Sequence, residues 1–325
     1  YYGFTSVGTY GYQYTRIPVN HIQSVDFTMM VENIGSADQT GTHLNVDIND
    51  GTGSVFNQNT SPITLNSLAK DTLEMFGAWI PPTTVGIPYT ATLAITSDSI
   101  DATPANNSYT FPPFEVSNYI YALDGYGPNF GNTSHSGGNT EHEVGNYFEP
   151  VINDSATGIE FLAGTNTILG ANIDAVLYRG TPGNFIEIAR SANHVVTAAD
   201  TTTPKTLSLI DPVTGIAPLL EKDSVYFAAI HSFDATFRIA TSGAGPAPGT
   251  NSALHSNIFY PNAIAATTTY GLSSTPVVRL SVAPYNITWA NQPPNITIDC
   301  DASSLPANTG TATATTACGA GGLVV

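Results

Sequence analysis

The stretch HLNVDINDG, residues 43–51, decides the fold class of this chain. Leu44, Val46 and Ile48 alternate with polar residues, which is the period of a strand that buries one face. The stretch then ends in Asn-Asp-Gly at residues 49–51, a strong signal for a hairpin turn. The pattern therefore predicts a β-hairpin within an all-β protein.

The same alternation recurs on both sides of this stretch. Apolar side chains occupy every second position of four further runs, which Gly, Pro, Asn and Asp separate: residues 25–31, 63–65, 73–75 and 89–95. Long amphipathic helical patterns are missing. About seven short strands in roughly 95 residues is typical of an immunoglobulin-like sandwich. We therefore predict such a domain over residues 1–117.

Four short motifs follow one another over roughly residues 20–117, namely Asn33/Gly35, Trp79/Pro81, Gly86/Tyr89 and Asn106/Asn107. In this order they resemble the bacterial cell-adhesion-related (CARDB-like) immunoglobulin-like domain. The resemblance implies a sandwich module of a cell-surface protein.

A second predicted domain follows at residues 118–283. Seven or more strands and no helix in a stretch of this length favour a jelly-roll sandwich over a second immunoglobulin-like domain. The segments EVGNYFEPVINDSATGIEFLAG (143–164) and LLEKDSVYFAAI (219–230) resemble jelly-roll modules of large surface proteins in Bacteroidota. The strand candidates are 143–150, 157–162, 173–178, 185–190, 206–210, 224–231 and 277–282.

Residues 284–325 form a linker and a tail that holds both cysteines, Cys300 and Cys318. In an exported protein their close spacing suits one local disulfide, and a pair of free thiols is the alternative. The Asp-Cys step, the Cys-Gly step and the strand-like run 306–315 resemble a repeat of gliding-motility adhesins in Bacteroidota. The fold class that we predict is therefore an immunoglobulin-like sandwich, a jelly-roll sandwich and a short disulfide-closed β tail.

The two ends of the chain are candidates for contacts between subunits. The apolar residues Leu323, Val324 and Val325 form an isolated strand signal, which predicts either the start of a further domain or a strand that pairs with another subunit. The tyrosine-rich residues 1–14 are consistent with a binding platform. They are equally consistent with a first strand of the immunoglobulin-like core, which we favour.

Composition and charge exclude several classes of partner. Charged residues make up only 10% of the chain and the net charge is −17, with only three lysines. Phosphate backbones and anionic lipids would repel such a chain, and no apolar run approaches the roughly 20 residues that span a bilayer. We therefore expect neither nucleic-acid binding nor membrane insertion.

The sequence contains no recognisable catalytic motif. There is no nucleophile elbow, zinc-protease helix or phosphate-binding glycine loop. His135 and residues 141–143 place histidines near carboxylates, but a strand would point Glu141 and Glu143 away from His142. We therefore predict no metal site and no cofactor, although a structural calcium ion would suit the loops of a jelly roll.

Asp followed by Ser or Thr and then an apolar residue or Thr occurs five times, and this is the O-glycosylation motif of Bacteroidota. A turn cap is the alternative role of the same dipeptide. The candidate acceptor residues are Thr72, Ser99, Ser155, Thr201 and Ser224.

These observations predict a secreted, non-enzymatic surface protein with a structural or adhesive role. Because the chain begins with Tyr1, we expect any leader peptide to have been removed or to lie outside this sequence. We expect it to associate with itself or with other surface proteins, as a glycosylated fibre subunit that assembles by head-to-tail strand pairing. The first alternative is a carbohydrate-binding module of a larger secreted protein. The second is a jelly-roll lyase or hydrolase that uses one of the arginines Arg179, Arg190, Arg238 and Arg279.

Overall fold

The structure is a computed structural model, which describes residues 2–6, 14–111, 113–125, 131–135, 141–181, 184–211, 213–233, 236–242, 256–259, 269–271, 274–283, 288–291, 313–315 and 323–324. The described residues form β-strands, three short 3₁₀ helices (Val19–His21, Pro104–Asn106 and Ala198–Thr201) and no α-helix. The prediction of an all-β, sandwich-like protein is confirmed.

The first ten strands build the first sandwich. A three-stranded sheet has the order β1-β3-β7, and a seven-stranded sheet has the order β2-β10-β8-β4-β5, with β6 beside β4 and β9 beside β8. The strands are β1 (Tyr2–Ser6), β2 (Arg16–Pro18), β3 (Val25–Glu32), β4 (Gln39–Asn49), β5 (Ser54–Asn59), β6 (Ile63–Leu65), β7 (Lys70–Trp79), β8 (Pro88–Thr96), β9 (Ser108–Thr110) and β10 (Phe114–Ser117).

The predicted alternation forms the core of this sandwich. Phe27, Leu44, Ile48 and Leu93 are each fully buried, whereas their neighbours along the strands are more exposed. The predicted turn after β4 is also present, because Gly51 has a φ of +86° that favours glycine. The tyrosine-rich start contributes β1, which pairs antiparallel with β3, as expected for a first strand of this sandwich.

Among the described residues, the second sandwich contains fifteen strands in three sheets. Their orders are β11-β25-β14-β18 with β19 beside β14, β12-β21-β24, and β16-β15-β20-β13-β22-β23 with β17 beside β15. The strands are β11 (Ile120–Tyr121), β12 (Gly131–His135), β13 (His142–Phe148), β14 (Asp154–Phe161), β15 (Asn172–Arg179), β16 (Ile186–Arg190), β17 (His194–Val195), β18 (Lys205–Ser208), β19 (Leu219–Leu220), β20 (Tyr226–Ser232), β21 (Ile239–Ser242), β22 (Ser256–Phe259), β23 (Thr269–Gly271), β24 (Thr275–Pro276) and β25 (Val278–Val282).

Strands β13 and β20 lie side by side in the seven-stranded sheet of the second sandwich, and both are buried along their whole length. One face of β13 and β20 contributes Val144 and Ile230 to the hydrophobic core. The other face carries Tyr147 and Phe227, whose ring centroids lie 4.9 Å apart. Since both faces are buried, polar residues on this sheet need partners within the protein.

A short N-terminal segment connects the two sandwiches. Strand β2 pairs in parallel with β10 of the first sandwich, while the preceding Tyr14 belongs to the hydrophobic core of the second. The backbone N–H of Thr15 donates to the carbonyl oxygen of Ala122 at 2.8 Å. Nearby, His21 Nε2 lies 2.8 Å from Asp154 Oδ2. One segment therefore contributes to both sandwiches.

The chain divides into two compact units, residues 1–282 and 283–325. In the second unit, the strands β26 (Thr288–Asn291), β27 (Thr313–Thr315) and β28 (Leu323–Val324) form a sheet in the order β26-β27-β28. Cys300, Cys318 and Val325 lie outside the described residues. Across the part of the chain that the structure covers, no helix has the length and apolar character needed to cross a membrane.

Candidate functional site

The candidate site is a group of charged and polar side chains on the second sandwich, which we call the polar cluster. It comprises Glu141, Glu143, Asp174, Tyr178, Glu187, Arg190 and His231. Strand register brings it together, because His231 of β20 lies opposite Glu143 of β13 on one side and Asp174 of β15 on the other. The cluster therefore spans neighbouring strands of the seven-stranded sheet of the second sandwich.

His231 lies between two carboxylates. Its Nδ1 is 3.2 Å from Asp174 Oδ1, and its Nε2 is 2.6 Å from Glu141 Oε1. A ring nitrogen must carry a proton to donate to a carboxylate, so this arrangement favours the imidazolium form. Although burial opposes that charge, the bonds to Asp174 and Glu141 raise the pKa of His231.

Arg190 connects this histidine pair to the edge of the sheet. Its Nη1 donates to Asp174 Oδ1 at 2.7 Å, while Nε and Nη2 donate to the two carboxylate oxygens of Glu187 at 2.9 and 2.8 Å. Its Nη2 is also 3.9 Å from Glu143 Oε1. The guanidinium thereby offsets part of the negative charge of three carboxylates.

Glu143 is the most deeply buried carboxyl group of the cluster, with no exposed surface. Burial raises its pKa to about 7, although the hydroxyl of Tyr178 and the charges of His231 and Arg190 oppose this rise. Tyr178 donates to Glu143 Oε1 at 2.8 Å. The other oxygen, Oε2, is buried and has no hydrogen-bond partner among the described residues. Glu143 therefore exchanges a proton near neutral pH.

The rim of the cluster is open to solvent. The exposed fractions of the side chains are 32% for Arg190, 37% for Glu187 and 29% for Glu141. Phe233, which follows β20, is 50% exposed, and its ring centroid lies 4.5 Å from that of His231. The rim thus combines hydrogen-bond donors, acceptors and an apolar ring.

A second charged group is buried and structural. Arg279 donates through Nε and Nη2 to the two carboxylate oxygens of Asp124 at 2.9 and 2.7 Å, and through Nη1 to Glu160. Its side chain is only 4% exposed. Burial opposes its charge, but these carboxylates raise the pKa of Arg279 and keep it protonated. This triad holds β14 and β25 together, and its guanidinium is shielded from solvent.

The five predicted glycosylation residues differ in accessibility. Thr72 on β7 and Ser99 after β8 are exposed, whereas Ser155, Thr201 and Ser224 are half-buried. The hydroxyl of Thr201 donates to the carbonyl oxygen of Ala198 at 2.9 Å, and Ser224 Oγ accepts from Arg179 at 3.3 Å. Thr72 and Ser99 are therefore the more accessible candidate acceptors, and glycosylation stays a prediction.

No group of three or more metal-ligating side chains is found within the described ranges. In the segment that suggested a metal site, Glu141 and Glu143 contribute to the polar cluster instead. Glu141, Glu143 and Arg190 were candidates from the sequence, but no sequence pattern connected them. Asp174, Tyr178, Glu187 and His231 were not predicted as site residues, because only strand pairing between distant parts of the sequence brings them together.

No protein-family model and no curated protein matches the chain. Among solved structures, the chain is similar to a two-domain protein of unknown function from Bacteroides fragilis, with 10% sequence identity. The alignment covers 86% of this chain and 93% of that chain, with a TM-score of 0.22. A TM-score this low supports no conclusion about the fold or the function of this chain.

Proposed function

We propose that this chain is an extracellular surface protein with a structural and adhesive role. Its sequence supports this proposal through the motif resemblances, the net charge of −17 and the low content of charged residues. Surface location, adhesion and a non-enzymatic role are all parts of the same proposal.

The observation that carries the proposal is the segment shared by the two sandwiches. Separating them requires either loss of the pairing between β2 and β10 or extraction of Tyr14, which is 2% exposed, from the core of the second sandwich. Removal of a large aromatic side chain from a core costs about 3–5 kcal/mol. Such a junction suits a protein that transmits force between an anchor and a target.

Assembly into fibres by strand pairing belongs to the same proposal. Strands β1 and β28 each lie at the end of the strand order of their sheet. A strand with one unpaired edge can accept a strand from another subunit. Electron microscopy of native material would show filaments if this holds, and discrete monomers would contradict it.

A catalytic role has less support from the polar cluster. Both nitrogens of His231 are engaged by carboxylates, so the ring has no free position to accept a proton from a substrate. Arg279, which also meets converging carboxylates, is buried.

Attachment of cells in the source organism tests the proposed role. Deletion of the coding sequence should reduce attachment to the natural surface, and the full-length chain should restore it. Antibody against the chain should label intact cells. Unchanged attachment, or labelling only after cell lysis, would contradict the proposal.

A further inference from the structure

We propose that the polar cluster binds a neutral, hydroxyl-rich saccharide on the second sandwich, with Phe233 as the stacking ring and the Arg190–Glu187 pair as the recognition group. This inference rests on the proposed adhesive function, because it names the chemistry of the adhesion target.

The charge balance of the cluster selects the class of ligand. Four carboxylates (Glu141, Glu143, Asp174 and Glu187) face two basic side chains, so the cluster is negative overall. An anionic polysaccharide would be repelled. A metal ion is equally disfavoured, since Arg190 and His231 place two positive charges among the carboxylates. A neutral ligand that both donates and accepts hydrogen bonds meets neither obstacle.

The partly exposed rim offers a hydrogen-bond donor and an acceptor side by side. Arg190 and Glu187 lie side by side, joined by two hydrogen bonds of 2.9 and 2.8 Å, and both side chains contact solvent. Neighbouring hydroxyl groups of a sugar can accept from the guanidinium and donate to the carboxylate. Hydrogen bonds to charged groups are stronger than those between neutral groups, which makes this pair a suitable recognition group.

An apolar surface lies beside these charges. Phe233 is 50% exposed and its ring packs edge-on against His231, at an interplanar angle of 65°. This contact fixes the ring at the rim, where its face can cover the C–H face of a pyranose. A binding site that combines an apolar ring with a few placed polar groups is the usual composition of a small-molecule site.

Glu143 gives a second, independent indication of a ligand. Its side chain is fully buried, yet Oε2 has no hydrogen-bond partner among the described residues, while Oε1 accepts from Tyr178. An unpaired buried acceptor costs free energy. The described residues therefore leave one buried acceptor of the cluster without a donor.

Calorimetric titration of the full chain tests this site. The probes are soluble hexasaccharides of neutral glucan, mannan, xylan and galactan, with a hexamer of galacturonate as the anionic comparison. We expect at least one neutral hexasaccharide to bind and the galacturonate hexamer not to bind. Failure of all four neutral probes, or preference for the anionic one, would overturn the proposal.

Two phenylalanine variants localise the binding. Phe233→Ala should weaken the affinity at least tenfold. Phe76→Ala is the matched control, because Phe76 is 66% exposed on the first sandwich, and it should leave the affinity unchanged. Glu187→Gln, which keeps the size but removes the charge, should weaken binding several-fold.

Equal affinity of the Phe233→Ala and Phe76→Ala variants would overturn the assignment of the site. Melting temperatures of all variants, measured in parallel, separate loss of binding from loss of fold. A chain that binds no saccharide but still supports cell attachment would overturn this site alone. Failure of the antibody to label intact cells would instead overturn the proposed function.

Discussion

The backbone N–H of Glu149 donates to the phenolic oxygen of Tyr14 at 2.8 Å, across 135 residues of sequence. The ring of Tyr14 also stacks against Phe148, with ring centroids 6.3 Å apart. A residue that lies between β1 and β2 of the first sandwich thus forms part of the core of the second. The two sandwiches are not simply consecutive domains on a linker, and their stabilities should be coupled.

Replacement of Tyr14 tests this coupling. We expect Tyr14→Ala to lower the free energy of unfolding by about 3–5 kcal/mol, because it leaves a cavity in the second core and removes a hydrogen-bond acceptor. Denaturant unfolding of the purified chain measures this change. Tyr119→Ala is the control, since Tyr119 is 41% exposed. Equal destabilisation by the two variants would refute the coupling.

The buried carboxyl group of Glu143 makes stability depend on pH. Its pKa rises from an ordinary 4.5 to about 7 on folding, so the folded protein binds this proton more tightly than the unfolded chain does. The contribution of Glu143 to stability should therefore be complete below pH 4.5 and should be lost as the pH rises through 7, by about 3 kcal/mol. The raised pKa of His231 acts in the same direction.

The variant Glu143→Gln isolates the contribution of Glu143 to the pH dependence of stability. Its amide cannot ionise but can still accept from Tyr178, so the fall in stability between pH 5 and about pH 8 should become smaller. Urea unfolding at a series of pH values gives the two curves. Curves with the same slope would show that Glu143 is not the titrating group.

Replacement by alanine should destabilise the protein strongly at Arg279 and only slightly at Arg179. Arg279→Ala leaves Asp124 buried without its cation and should cost about 3–5 kcal/mol. Arg179→Ala removes a pair with Glu221 whose side chains are 41% and 51% exposed, and should cost less than about 1 kcal/mol. Chemical denaturation compares both with the unmodified chain, and similar losses for the two would contradict the assigned roles.

Accessibility separates the candidate glycosylation residues. We expect native protein to exceed its polypeptide mass, and we expect Thr72→Ala and Ser99→Ala each to remove part of the excess when expressed in the source organism. Ser224→Ala should change the mass less, because Ser224 is half-buried and contacts Arg179. Intact-mass spectrometry measures all three. The bare polypeptide mass for the native protein would refute glycosylation.

Local pattern was sufficient to predict most strands but not the site. The alternation around Leu44 and Leu93 reports one-sided burial directly, and each of the seven strand candidates of the second sandwich overlaps an observed strand. Strand β5 (Ser54–Asn59) was missed because it is a mostly exposed edge strand, so it lacks an apolar alternation. Edge strands need only one paired side, and exposed polar residues satisfy that requirement.

The polar cluster could not be predicted, for a different reason. Asp174 and His231 are 57 residues apart in sequence and meet only through the register of β15 and β20. A shift of that register by one residue would turn either side chain to the opposite face. Sequence alternation fixes which residues share a face of one strand, but it leaves open which residue of another strand lies opposite.

Immunogold electron microscopy of intact cells of the source organism tests the central claim most directly. If the chain is a structural and adhesive surface protein, antibody against it should label projections outside the cell envelope, and a deletion strain should lose both the label and the projections. Gold particles confined to the cell interior, or projections that persist in the deletion strain, would contradict the proposed function.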